Sequence, residues 1–150
     1  MADFQRDGYQ LFPGCFSTRE ITAARKAVET ICGKLTPDHP RWDSVVIPLS
    51  SLSEHRNPGA DSARLSSIPF LLTGLPVLSD ALADLILSEA LWTIAAKLLQ
   101  NERVVYHFSN VTRKPAGIGP NLTWHRDYPN RGICPRRSEF FRALIPLGNR

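Results

Sequence analysis

Arg103 to Pro115 reads RVVYHFSNVTRKP, and this stretch sets the fold class. Val, Tyr, Phe and Thr fit a pleated, half-buried surface, so the run reads as strand. A Gly/Pro turn follows at Ala116–Pro120 (AGIGP), then a second strand-like run, Asn121–Tyr128 (NLTWHRDY), and a third, Glu139–Leu147 (EFFRALIPL). The preceding residues have the opposite texture. In Leu78–Glu102 (LSDALADLILSEALWTIAAKLLQNE), Leu82, Leu85, Ile86, Leu91, Ala95, Leu98 and Leu99 recur at helical spacing. Ser79 or Asp80 is the cap, and Ser88–Glu89 is a point where a second helix restarts. Trp92 lies on that stripe and reads as core. Helices first and then a meander of strands predict an α+β fold with an antiparallel sheet.

Further toward the N-terminus, Asp7–Gly8 is a turn signal, and Ser17 followed by Glu20 has the spacing of a capping box. Ile21, Ala24, Val28, Ile31 and Cys32 then keep helical period until Gly33 stops it. From Thr36 to Pro76 prolines at 37, 40, 48, 58, 69 and 76 interrupt any long element, so this region is expected to be irregular, with Ser50–Ser62 an exposed loop. His39 and His55 fall in it and are expected to face solvent.

A chain of 150 residues suffices for one domain that buries roughly 70% of its unfolded surface. The expectation is a single domain over 1–150, mainly helical over 1–100 and antiparallel strands over 101–150. Its apolar share of 43% and charged share of 21% are those of a globular chain, which excludes a disordered tail or linker. The net charge of +4 comes mostly from arginines scattered in ones and twos, the densest group being Arg131, Arg136 and Arg137. Such scatter suits a small anionic ligand better than nucleic acid, which is not expected as a partner. Cys15, Cys32 and Cys134 are odd in number and lack C-x-x-C spacing, so they read as free thiols in a reducing compartment. There is no apolar leader core and no run near the ~18 apolar residues of a membrane span. A cytoplasmic, soluble protein is the expectation.

The chemistry is concentrated in Leu122–Asn130, LTWHRDYPN. Residues two apart on a strand share a face, so His125 and Asp127 project together while Trp124 and Arg126 face away. An imidazole nitrogen and a carboxylate oxygen so placed can both reach one ion, and one more histidine would complete the 2-His-1-carboxylate set of non-haem iron oxygenases. A kinase catalytic loop is excluded, because it needs Asn five residues after the Asp of H-R-D and position 132 is Gly. The pair alone is a weak signal, and a surface strand with both side chains exposed is the competing reading.

The order Lys114-Pro115, Trp124-His125-Arg126-Asp127, Arg142-Ala143-Leu144, together with the opening FQRDGYQLFPG (Phe4–Gly14) and its following helix, resembles the phytanoyl-CoA dioxygenase family of Fe(II)/2-oxoglutarate-dependent oxygenases. The resemblance implies N-terminal helices packed on the first strands of a double-stranded β-helix, a jelly roll of cupin type that is incomplete at the C-terminus. It implies His125 and Asp127 as ligands of Fe(II), with 2-oxoglutarate as co-substrate and O2 and a small organic molecule as the other reactants. Lys114 or Thr112 would touch 2-oxoglutarate, Arg142 would face either a substrate anion or a surface carboxylate such as Glu139, Trp124 would pack behind the site, and Pro129–Arg137 would form a loop at its mouth, with Cys134 a bystander. In that family the distal histidine and the arginine that pairs with 2-oxoglutarate lie on later strands, and no histidine follows His125 here. His107 is the only nearby substitute.

Two functions follow as expectations. One is a dioxygenase hydroxylating a small substrate, as part of a longer enzyme or as a homo-oligomer that completes the sheet. The other is a non-catalytic truncated relative acting as a binding or interaction module.

Overall fold

A computed structural model describes residues 3–52, 61–115, 118, 125 and 140–148. Helix α1 (Phe4–Asp7) starts where the Asp3 carboxylate accepts the Arg6 N–H, and it ends at Gly8, whose φ of 76° closes the turn. The Asp7–Gly8 signal is therefore a helix end. Helix α2 (Thr18–Lys34) begins with the expected capping box and turns Ala24 and Val28 into the core, with Ile21, Ile31 and Cys32 beside them. It runs one residue past Gly33, and the buried Leu35 closes it by donating its N–H to the Ile31 carbonyl at 2.9 Å.

After α2 come α3 (Trp42–Val45), β1 (Val46–Pro48), a 3-10 turn (Leu49–Ser51), α4 (Ser62–Ser66), β2 (Pro69–Thr73) and a second 3-10 turn (Leu75–Val77). The chain then forms α5 (Asp80–Ile86), α6 (Glu89–Leu99) and β3 (Asn110–Thr112). The strands make one antiparallel sheet in the order β1-β2-β3. Leu72 at its centre faces Val46 on one side and Val111 on the other. These three join Ala24, Val28, Trp42, Leu82 and Leu85 in the main core, with α2 packed on α5. Leu49, Leu65 and Phe70 form a smaller second cluster. The mixed helix and antiparallel sheet agree with the α+β expectation.

Several expectations are corrected. The stretch Thr36–Pro76 is not irregular: it holds β1 and β2, so strands do not simply follow the helices. They escape pattern reading because they are short and because Pro48 and Pro69 pair with each other at the strand ends, where a missing N–H costs little of the ladder. In β2 the adjacent residues Pro69 and Phe70 are both buried, and the half-buried position between Phe70 and Leu72 is the apolar Leu71, so no clean apolar–polar alternation marks it. Conversely, only Asn110–Thr112 of RVVYHFSNVTRKP is strand, and residues 103–109 and 140–148 are extended or irregular without ladder pairing. The helix pair is as expected: Ser88 restarts the chain, its Oγ accepting the Leu91 N–H at 3.3 Å. Trp92 is not core, since α6 turns Ala95 and Leu98 inward and leaves its indole 42% exposed. Among the described residues no helix is long and apolar enough to cross a membrane.

Candidate functional site

Helix α6 ends at Gln100, a left-handed residue (φ 50°) whose N–H bonds back to the Ala96 and Lys97 carbonyls. The reversal sends the chain toward β3. Asn101 steadies the exit, its Oδ1 accepting the Arg103 N–H at 2.9 Å. Opposite this run lies the segment from Phe140 to Leu147. Its inner residues Ile145 and Leu147 pack on the main core, and the Phe141 ring meets Phe4 of α1 edge-on at 6.4 Å. A cavity of about 940 Å³ is lined by these two segments and by α5 and α6.

The cavity floor is aliphatic, with Leu82, Leu85 and Leu99 from the two helices. Aromatic lining comes from Trp92, Tyr106, Phe108 and Phe140. The guanidinium carbon of the half-buried Arg142 lies 4.8 Å from the Phe108 ring centre and 5.9 Å from that of Phe140, within the reach of a cation over a ring face. His107 is exposed at the rim, its ring edge-on to Phe108 at 5.1 Å. Tyr106 and Ser109 share a hydroxyl hydrogen bond of 2.7 Å. Arg103, His107 and Arg142 line the cavity, and no Asp or Glu does so among the described residues.

The residues expected to carry function divide. Arg142 and His107 share this cavity. Thr112 is exposed on β3 opposite Leu71, Lys114 is exposed beyond it, and neither lines the cavity. His125 is exposed. Its partner Asp127 lies outside the described residues, as do Trp124, Cys134 and His55. An imidazole and a carboxylate two residues apart in sequence are donors that suit Fe(II). Among the described residues no group of three His, Cys, Asp or Glu side chains comes together.

His39 is half-buried, not fully solvent-facing, and its Nδ1 accepts the Arg41 N–H at 3.1 Å, a structural role in the turn before α3. Burial against the core pushes the Cys32 thiol up, opposed by the charge of Arg113. Arg103, Trp92 and the aromatic pair Tyr106 and Phe108 were not legible as site residues. The available signal was their density, three aromatic or imidazole rings in the successive residues Tyr106 to Phe108 and Trp92 upstream, once the run is extended but unpaired. The chain matches no protein-family model, no curated protein and no solved structure.

Proposed function

We propose that this chain is a non-haem Fe(II)/2-oxoglutarate-dependent dioxygenase of the phytanoyl-CoA dioxygenase type, hydroxylating a small organic substrate in the cytoplasm. The observation that carries the reading is where His125-x-Asp127 falls in the chain. The segments flanking it, 103–111 and 140–147, are the two walls of one cavity, so the pair belongs to the connection between those walls. The antiparallel sheet under α2 and α5, with β3 directly before Lys114-Pro115, is compatible with the opening of a double-stranded β-helix. Completion of the sheet by a second copy is part of the same proposal.

In this reading His125 offers a neutral imidazole and Asp127 a hard carboxylate to the metal. Iron with 2-oxoglutarate and O2 supplies hydroxylation of a C–H bond, the co-substrate leaving as succinate and CO2. Thr112 and Lys114 would hold the co-substrate at the end of β3, and Arg142 would orient an anionic group of the substrate. The aromatic and aliphatic walls exclude water around it.

The test is anaerobic loading with Fe(II), then addition of 2-oxoglutarate and O2 with succinate measured by mass spectrometry. Succinate forms in the unmodified chain and disappears in His125→Ala and in Asp127→Ala. A chain with neither micromolar iron affinity nor 2-oxoglutarate-dependent oxygen uptake would leave the binding-module reading in its place.

A further inference from the structure

We infer that the cavity lined by α5, α6 and residues 103–111 and 140–147 binds a ligand with a flat, apolar polycyclic body. Its volume of about 940 Å³ lies in the range of roughly 300–1,000 Å³ that encloses an organic ligand. The lining segments are anchored by contacts outside the cavity. The Phe4 ring of α1 meets Phe141 edge-on, and the Gln5 side-chain amide donates to the Leu98 carbonyl at 3.0 Å, so α1 joins the end of α6 to the 140–147 segment. Ile145 and Leu147 pack on the main core. A cavity whose lining is held in this way is formed before its ligand arrives, as small-molecule sites usually are.

The lining selects an apolar body. Val105 and Leu144 both line the cavity, one from each segment, and they are 89% and 92% exposed. Neither belongs to a core cluster, so the fold gains little from them. A ligand that covers them takes apolar surface out of water, which drives association without any charge on either side. The aromatic lining selects a ring over a chain. Trp92 and Tyr106 remain 42% and 37% exposed. The Tyr106 hydroxyl shares its hydrogen bond with Ser109, which leaves the ring for apolar contact. Against a second ring, offset or edge-on, such rings gain more than their buried area alone gives. A flexible chain has only its burial to offer and loses rotamer freedom on binding, whereas a fused ring body is rigid beforehand. The inference needs no metal and does not rest on the oxygenase reading.

Fluorescence titration of the metal-free full chain with the uncharged probe 1-pyrenemethanol tests this, with 1-dodecanol as an uncharged chain competitor. The probe is expected to bind saturably, with energy transfer from tryptophan to pyrene, and dodecanol to bind about tenfold more weakly. Trp92→Leu should weaken the probe about tenfold and lower the energy transfer. Val105→Ser with Leu144→Ser should weaken it by about the same factor. Leu11 is 74% exposed and does not line the cavity, so Leu11→Ser should leave the affinity unchanged. No saturable binding, or equal affinities for pyrenemethanol and dodecanol in the unmodified chain, would overturn the inference. So would a loss in Leu11→Ser as large as in the Val105 and Leu144 pair, which would mean adsorption to apolar surface in general. The comparison of the two alcohols needs no variant, so a variant that fails to fold leaves it decisive. Succinate formation is a separate readout, and loss of either result leaves the other standing.

Discussion

The guanidinium carbon of Arg142 lies 4.8 Å from the centre of the Phe108 ring. This contact ties two cavity walls that share no ladder hydrogen bond. A cation over a ring in a half-buried setting contributes about 0.5–1 kcal/mol. A double-mutant cycle with Arg142→Met and Phe108→Leu, read by urea unfolding, should return a coupling of that size. A coupling near zero would mean that this contact does not hold the walls together.

Leu72 is fully buried on the central strand and meets Val46 and Val111 at once. Leu72→Ala removes packing from all three strands, and a cavity there cannot collapse without moving the sheet. The expected loss is about 2–5 kcal/mol, a large share of a typical domain's stability. Val105, 89% exposed, is the control, and Val105→Thr should stay within about 0.5 kcal/mol. Similar losses at the two sites would contradict the sheet order.

The α2 cap and the α5–α6 break were legible in the sequence because they depend on local chemistry: Ser17 with Glu20, and Ser88 where the apolar stripe pauses. β1 and β2 were not, because five or fewer residues bounded by proline carry no period, and their pairing is fixed by contacts with α2 and α5 far away in sequence. The strand reading of 103–115 failed for the complementary reason. Val104 to Phe108 have strand propensity, but α6 and the 140–147 segment leave them facing a cavity, and propensity without a partner makes no ladder. For the candidate site, Arg142 was singled out in the motif Arg142-Ala143-Leu144, and it lines the cavity. The cavity that Arg142 shares with Trp92 depends on how α6 is rotated, which the stripe alone did not reveal, since Trp92 reads as one more apolar position.

Gly74 has a φ of 65° at the start of the 3-10 turn that leads β2 into α5. A Cβ added there would sit 3.8 Å from Val77 Cγ2, an ordinary contact. The cost of substitution is therefore conformational, not steric. Gly74→Ala should lose about 1–2 kcal/mol and Gly74→Asn less, because Asn tolerates left-handed backbone. Equal effects of the two on thermal unfolding would point to packing instead.

Cys32 packs at the edge of the core, and its thiol is raised first by burial and then partly restored by Arg113. Since the thiolate is the reactive form, iodoacetamide should modify Cys32 more slowly than a free cysteine peptide at pH 8. Arg113→Gln should slow it further, because the lowering charge is gone. Faster alkylation of the Cys32 peptide in that variant, followed by mass spectrometry, would contradict the assigned sign.

Ser17 and Glu20 cap α2 reciprocally: the Ser17 Oγ accepts the Glu20 N–H at 3.2 Å and Glu20 Oε2 accepts the Ser17 N–H at 2.7 Å. Ser17→Ala should cost about 1 kcal/mol, the usual worth of an N-cap. The Glu20 carboxyl is held below the ordinary range, first by the Ser17 hydroxyl and then by the Ser17 backbone N–H. Its folded pKa being depressed, the ionised cap contributes fully above the unfolded carboxyl pKa, and the contribution is lost as pH falls through the folded value. Glu20→Gln cannot ionise and lacks this dependence. The gap in melting temperature between the unmodified chain and Glu20→Gln should therefore be widest near pH 7 and shrink as the solution is acidified below the carboxylate range. A gap that stays constant down to pH 3 would show that the negative charge of Glu20 adds nothing to the cap beyond what a neutral amide provides.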